Sequence, residues 1–176
     1  MTHVALLRGI NVGGRNTLPM KDLVKIFGDA GGTSARTYIQ SGNVIFDAPA
    51  GAPGVGDKVA AAIAKRFGFR IPVILRTSQQ LLDIIRSNPF LPEVEDPRWL
   101  HVYFLADPPA ARAIAGLDPA RSAPDVFQVR GQEIYLHLPN GMGRSKLSNA
   151  YFDSKLSTIS TARNWATILK LSEMME

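Results

Sequence analysis

The sequence predicts an α/β protein of the mixed α+β kind, made of two ferredoxin-like β-α-β-β-α-β subdomains that arose by an internal duplication. Short apolar runs typical of strands alternate along the chain with segments whose apolar residues recur at helical spacing. Each half also contains a strand, a glycine-centred turn and a second strand, which indicates a hairpin. The parallel between segments 38–46 and 127–135 favours a duplication, with little sequence identity between the two.

Residues 1–76 form the first predicted subdomain. Met20, Leu23 and Phe27 share one face of a predicted helix over 19–28, with Pro19 in its first turn. Ser41-Gly42 is the predicted turn of a tight hairpin. The expected elements in chain order are a strand over 3–8, a helix over 19–28, strands over 36–40 and 43–47, a helix over 55–67, and a strand over 71–75.

Residues 77–97 are predicted to be a helix followed by an acidic connector. Thr77 and Gln80 have the spacing of a capping box, and Asn88-Pro89 ends the helix. Residues 98–176 form the second, degenerate subdomain with C-terminal helices. Its expected elements are a strand over 100–105, a helix over 108–117, strands over 126–129 and 133–138, and helices over 145–152 and 162–174.

Composition excludes several kinds of chemistry. The chain has 176 residues, a net charge of +5 and no cysteine, so disulfides, thiolate metal ligands and cysteine nucleophiles are excluded. No signal peptide and no run near the roughly 18 apolar residues of a membrane span is present, which favours a cytoplasmic protein that does not associate with membranes. The three histidines have no metal-ligand spacing, and no cofactor motif is present, so we expect neither a metal nor a cofactor.

A glycine-rich loop follows the first strand. The strand ends at Arg8, and Gly9, Gly13 and Gly14 give a pattern that matches neither the dinucleotide fingerprint nor the P-loop. Ligand sites in open α/β sheets lie at the carboxyl ends of strands, so Arg8 and Asn11 are candidate ligand residues. The alternative is that the glycines only shape the turn.

Two predicted helix starts near the C-terminus carry cations. Ser145 is the predicted N-cap of one helix, beside Arg144 and Lys146, and Thr161 that of the other, just before Arg163. A cation there opposes the helix dipole at a cost of about 0.3–1 kcal/mol each. A bound anion would explain the arrangement, because backbone N–H groups and cations would then face the same charge. The alternative is that these side chains extend into water.

Five segments of the chain form a distinctive set: 6–14, 36–44, 136–141, 143–149 and 161–165. This set resembles a bacterial family called domain of unknown function 1697. The resemblance implies a duplicated ferredoxin-like fold and no established activity. In that family an asparagine usually follows the Arg-Asn-Trp run, whereas this chain has Ala166, so a catalytic role of that asparagine would put activity here in doubt.

These patterns predict a protein that binds a phosphate-bearing ligand, a nucleotide or nucleic acid, at a site between the two halves. An enzyme acting on a phosphate or carboxylate substrate is one alternative, with Ser145 or Tyr38 reacting and arginines stabilising charge. A protein-interaction or structural domain is the other. No catalytic residue and no oligomeric state is assigned. The candidate ligand residues are Arg8, Asn11, Arg36, Gln40, Ser41, Asn43, Arg144, Ser145, Lys146, Arg163 and Asn164.

Overall fold

The structure is a computed structural model that describes residues 1–50, 52 and 54–176. The described part is a mixed α+β protein with two four-stranded antiparallel sheets and six α-helices. The chain divides into two compact units, Met1–Asp83 together with Leu171–Glu176, and Ile84–Lys170. Each unit contains one of the two sheets.

The first unit contains strands β1 (Thr2–Leu7), β2 (Thr33–Tyr38), β3 (Asn43–Asp47) and β4 (Val73–Thr77). They are arranged in the order β2-β3-β1-β4, and every neighbouring pair is antiparallel. Strand β1 is an inner strand of this antiparallel sheet, and its residues 3–7 are all buried, so both of its faces are covered.

Helices α1 (Met20–Asp29) and α2 (Val55–Phe67) supply the core of this unit, as their periodicity predicts. Leu23, Phe27 and Val59 are fully buried in one apolar cluster with residues of β1 and β3. Burying each such side chain contributes about 1.5–3 kcal/mol, so this face determines where both helices lie.

Helix α3 (Ser78–Arg86) follows β4 directly. Thr77 Oγ1 accepts a hydrogen bond of 3.1 Å from the Gln80 N–H, and Gln80 Oε1 accepts one of 2.8 Å from the Thr77 N–H. This reciprocal pair confirms the capping box that the sequence predicts, and it satisfies two amide groups at the start of the helix.

The second unit contains strands β5 (Leu100–Leu105), β6 (Val126–Arg130), β7 (Glu133–His137) and β8 (Ser160–Asn164). Their order is β6-β7-β5-β8, again with every neighbouring pair antiparallel. The inner strands β5 and β7 carry the buried apolar residues, and the edge strand β6 alternates between exposed and half-buried positions.

Three helices complete the chain: α4 (Ala111–Ala115), α5 (Asn149–Leu156) and α6 (Trp165–Met174). Helix α4 is shorter than the segment 108–117 predicted from the sequence. Phe152 of α5 is fully buried in the apolar cluster of the second sheet and contacts three aromatic rings.

The predicted helix start at Thr161 is wrong, because this segment forms β8. Val102 pairs with Arg163, and Leu105 pairs with Ser160, so β8 extends the sheet beside β5. The last helix begins later, where Asn164 Oδ1 accepts a hydrogen bond of 2.8 Å from the Thr167 N–H. The β-branched residues of the segment 158–161 favour a strand, and pairing with β5 decides the outcome.

The predicted helix start at Ser145 is also wrong. Helix α5 begins at Asn149, and Ser148 is its N-cap, with Oγ accepting a hydrogen bond of 3.2 Å from the Tyr151 N–H. Ser145 has extended backbone angles, φ −77° and ψ 139°. Both serines are suitable N-caps, but Ser145 Oγ accepts from the Leu147 N–H, outside the helix, and Ser148 Oγ accepts from a helix N–H.

The two hairpins differ in loop length. In the first, β2 ends at Tyr38, which pairs with Asn43, so the strand predicted over 36–40 ends two residues early. In the second, Arg130 pairs with Glu133 across the shorter turn Gly131-Gln132. The parallel drawn between segments 38–46 and 127–135 therefore does not hold residue by residue.

Two strand histidines predict a pH dependence of stability. Burial lowers the pKa of both His3 and His101, and His3 Nε2 is buried with no hydrogen-bond partner in the described part of the chain. As the pH falls, a histidine of the unfolded chain takes up a proton near pH 6.5, whereas these two histidines in the folded protein take up a proton only at lower pH. The unfolded state therefore binds more protons on acidification, and the stabilisation present above pH 6.5 is lost as pH falls through the folded pKa values.

We expect urea unfolding to give a smaller free energy of unfolding at pH 5.5 than at pH 7.5. A double variant His3→Gln/His101→Gln is expected to show a smaller difference between the two pH values, whatever its absolute stability. An unchanged difference in that variant would assign the pH dependence to other groups.

Candidate functional site

The glycine-rich loop of the first unit forms a small hairpin of its own. The Arg15 N–H donates a hydrogen bond of 3.0 Å to the Val12 carbonyl. Between them, Gly13 and Gly14 have φ values of 57° and 72°, the two positive angles of a type I′ turn. Val12 at its base is 63% exposed, so the turn extends into solvent.

Asn11 closes the base of this loop. Its Nδ2 donates to the Leu18 carbonyl at 3.0 Å and to the Gln40 carbonyl at 3.1 Å, and its Oδ1 accepts from the Leu18 N–H at 2.8 Å. Asn16 adds a bond of 2.8 Å from Nδ2 to the Gly9 carbonyl. The polar atoms of Asn11 are thus used within the fold, and its role is to join this loop to the hairpin loop over 39–42.

Asn43 has a similar structural role in that hairpin. It is fully buried, and its Nδ2 donates to the Tyr38 carbonyl at 3.2 Å and to Ser41 Oγ at 3.1 Å. Gln40 and Ser41 are exposed at the loop, and Arg36 donates to the Met174 carbonyl. Of the six residues predicted in this unit, Asn11, Gln40, Ser41 and Asn43 are therefore brought together by hydrogen bonds that shape the loops.

The second unit contains a cleft lined by cations. It has a volume of about 310 Å³, and its wall includes two residues predicted from the sequence, Arg144 and Lys146, together with Arg121. None of these three side chains forms an ion pair with a carboxylate in the described part of the chain. The remaining lining residues are Ala120, Ser122, Ala123, Pro124, Asp125 and Asn140.

Arg121 is held in place from two sides. Its Nε donates a hydrogen bond of 3.0 Å to the Lys146 carbonyl, and its guanidinium carbon lies 4.0 Å from the centre of the Tyr151 ring. Tyr151 is itself fixed, since its hydroxyl accepts a hydrogen bond of 3.0 Å from the Asp118 N–H. Stacking and the Nε bond orient the guanidinium and leave both terminal nitrogens for an oxyanion.

Ser122 joins the two segments that form the cleft. Its Oγ accepts a hydrogen bond of 2.9 Å from the Lys146 N–H and donates one of 2.7 Å to Asp125 Oδ2. Asp125 is only 5% exposed and is the single carboxylate on the wall. The cleft therefore presents three cations and one carboxylate on a wall that hydrogen bonds hold together.

Ser145 lies apart from its two basic neighbours. The extended backbone there turns successive side chains to opposite sides, and Ser145 lines a separate cavity of about 250 Å³ with Tyr103 and Ser148. Its Oγ accepts a hydrogen bond of 3.1 Å from the Leu147 N–H. Neither Ser145 nor Tyr38 has a carboxylate or histidine within hydrogen-bond distance among residues 1–50, 52 and 54–176.

Arg163 is a buried residue of the sheet. It is 9% exposed, and burial lowers its pKa to about 10. Its Nη1 donates to Thr161 Oγ1 at 2.9 Å and to the Ala162 carbonyl at 2.7 Å. Asn164 is the cap of α6 described above. Arg163 therefore lies in a strand and not in the first turn of a helix, whereas Asn164 does lie at a helix N-terminus.

Sequence reasoning missed Arg121, Ser122, Asp125 and Asn140. Arg121 follows Asp118-Pro119-Ala120, which is typical of a turn and matches no binding motif. Its position depends on the ring of Tyr151, thirty positions further along the chain, so no local pattern reveals it. The Asn140-Gly141 pair is a turn signal that marks the loop, although not its place in the cleft.

The described residues provide neither a cluster of metal ligands nor a membrane-spanning helix. The described residues contain no group of three or more histidine, aspartate or glutamate side chains placed to hold a metal ion. Within the same residues, no helix is both long enough and apolar enough to cross a bilayer.

The fold and the family follow from comparison with known proteins. A solved structure from Streptococcus pneumoniae, described as that of conserved bacterial protein SP0830, superposes with a TM-score of 0.72 at 19% identity. The match covers 99% of this chain and 98% of that chain, so both have the same mixed α+β fold. The family model "Protein of unknown function (DUF1697)" matches residues 1–135, and the chain belongs to this family. The comparison with curated proteins gave no match.

Proposed function

We propose that the protein binds a small phosphate-bearing ligand, such as a nucleotide, in the cationic cleft of its second unit. One observation carries the proposal: Arg121, Arg144 and Lys146 line the same cleft, and no carboxylate among the described residues pairs with any of them. Unpaired cations around a concave site are suited to phosphate, and arginine binds it with two parallel hydrogen bonds. A cytoplasmic location is part of the same proposal.

The size of the cleft favours a small molecule. Its volume of about 310 Å³ is in the range of small-molecule pockets, which begins at about 300 Å³. A nucleic acid would instead need a longer basic surface that follows the backbone. The involvement of Arg8 and Arg163 remains a prediction of the sequence and is not needed for binding in this cleft.

Removing two of the cations is expected to weaken binding strongly. We expect Arg144→Ala/Lys146→Ala to reduce the affinity for AMP or inorganic phosphate about 10- to 100-fold, or about 1.4–2.8 kcal/mol, because two charged contacts are lost. Phosphorus NMR titration measures the dissociation constant for both ligands.

Arg112→Ala/Lys155→Ala is the matched control, since both residues are exposed and lie outside the cleft. Their replacement lowers the net charge by the same amount as Arg144→Ala/Lys146→Ala. The control is expected to bind like the unaltered protein. Equal weakening in the two double variants would assign binding to net charge, and absence of binding to the unaltered protein would contradict the proposal.

We also propose that the two sheets descend from one duplicated, ferredoxin-like β-α-β-β-α-β unit. The orders β1-α1-β2-β3-α2-β4 and β5-α4-β6-β7-α5-β8 support it, as do the equivalent strand orders. Buried arginines at matching register add support. Arg76 pairs with Val4, the residue after His3, and Arg163 pairs with Val102, the residue after His101. Each arginine donates from Nη1 to the carbonyl of the preceding residue.

A further inference from the structure

We infer that the ligand of the cationic cleft is a small zwitterionic phosphate ester, whose amine binds Asp125 while its phosphate binds the cations. The inference rests on the proposed function, because it places the phosphate in the same cleft. It adds a chemical class, the aminoalkyl phosphates, and assigns Asp125 as the residue that selects it.

Asp125 lines the cleft, although only 5% of the residue is exposed. Oδ2 accepts a hydrogen bond of 2.7 Å from Ser122 Oγ. Across the described part of the chain, no other hydrogen bond and no ion pair reaches this carboxylate. A carboxylate offers about four acceptor positions, so most of the capacity of this group is unused by the fold.

The acceptor positions that Ser122 leaves unused are accessible from the cleft, because no Asp125 oxygen is among the buried side-chain atoms that lack a partner in the described part of the chain. A cleft that binds a simple anion gains nothing from a negative group on its wall, since that group repels the ligand. A ligand with a cation at one end and a phosphate at the other accounts for both signs of charge. The amine donates hydrogen bonds to the acceptor positions of Asp125 that the fold leaves unused. The phosphate accepts hydrogen bonds from Arg121, Arg144 and Lys146.

The ligand must also be short. Asp125 and the three cations line one cavity of about 310 Å³, so the amine and the phosphate have to fit within the same small volume. An aminoalkyl phosphate with two or three carbon atoms between its charged groups meets this requirement. A polymer or a lipid aggregate does not.

Two ligands that differ only in the amine test the inference on the unaltered protein. O-phosphoethanolamine carries the amine, and ethyl phosphate has the same phosphate without it. We expect phosphoethanolamine to bind at least about fivefold more tightly in calorimetric or phosphorus NMR titrations at pH 7.5 and low salt. In Asp125→Asn, which keeps the shape of the side chain, this preference is expected to disappear while ethyl phosphate still binds.

The outcomes separate this inference from the proposed function. Equal affinities for the two ligands on the unaltered protein overturn the zwitterion inference and leave phosphate binding in the cleft intact. Absence of binding by both ligands overturns both. If Asp125→Asn does not fold, a third ligand replaces it on the unaltered protein: 2-hydroxyethyl phosphate has the length of phosphoethanolamine and no positive charge. It is expected to bind like ethyl phosphate, and binding as tight as that of phosphoethanolamine would count against a contact between the charged amine and Asp125.

Discussion

Replacing Gly42 by alanine is expected to lower the free energy of unfolding by about 2–5 kcal/mol. The residue has φ +85°, a left-handed conformation that costs a residue with a Cβ about 1–2 kcal/mol. A Cβ at this position would lie 2.8 Å from the Leu7 carbonyl oxygen and 2.9 Å from Leu7 Cβ. Both distances are shorter than a normal non-bonded contact, so the Gly42 loop or Leu7 would have to move. Overpacking of this kind costs about 1–3 kcal/mol more.

The same substitution also disturbs the end of β1. The Leu7 N–H donates a hydrogen bond of 2.8 Å to the Gly42 carbonyl, which holds the hairpin loop against the strand that leads to Arg8. Movement of Gly42 away from Leu7 lengthens this bond. Hydrogen exchange at the Leu7 amide is therefore expected to accelerate more than exchange in β4.

Gly14→Ala is the matched control for Gly42→Ala. Gly14 lies in the same unit with φ +72°, and a Cβ built there has no heavy atom within 4 Å. We expect it to lose only the conformational part, about 1–2 kcal/mol, in urea unfolding. Equal losses in the two variants would show that the close approach to Leu7 has no energetic effect.

Phe152→Ala is expected to destabilise the second unit by about 3–5 kcal/mol, because it leaves a cavity in the apolar cluster. The side chain is fully buried, and its ring centre lies 5.2 Å from that of Tyr103, 5.5 Å from Phe127 and 5.3 Å from Tyr151. Tyr151 supports Arg121 by stacking, so loss of Phe152 is expected to loosen the cleft and weaken phosphate binding as well.

Urea unfolding of Phe152→Ala and Phe152→Leu provides the measurement. Leucine fills most of the volume, and we expect it to cost less than about 1.5 kcal/mol. A loss below about 2 kcal/mol for alanine would mean that neighbouring side chains collapse into the space. Phosphate affinity that stays normal in a folded Phe152→Ala protein would show that Arg121 does not need this support.

The sequence predicts correctly those features that depend on residues close together in the chain. The face of α1 that contains Leu23 and Phe27 and the capping box at Thr77 are determined by spacing along the chain, and both are confirmed. The start of α5 was placed four residues too early because Ser145 and Ser148 have the same capping chemistry. Spacing along the chain does not distinguish them, and in the structure only Ser148 Oγ accepts a hydrogen bond from a helix N–H, that of Tyr151.

The other features that were not predicted from the sequence depend on residues far apart in the chain. Strand β8 forms because its backbone pairs with β5, which lies about sixty positions earlier, and helical spacing near Trp165 suggested a helix too soon. The candidate site was predicted in part: Arg144 and Lys146 line the cleft, whereas Arg121 and Asp125 were missed. Asn11 and Asn43 show the reverse error, since an asparagine that closes a loop and one that binds a ligand are identical in sequence.

The hairpin at Val12–Arg15 offers a practical means of following this protein. Asn11 and Asn16 fix its base, and alanine Cβ atoms built at Gly13 and Gly14 have no neighbour within 4 Å. Lengthening such an exposed tip adds little closure entropy, so extra residues there are well tolerated. A short tag inserted between the two glycines would immobilise or label the molecule through the first unit and leave the cleft residues of the second unit unaltered.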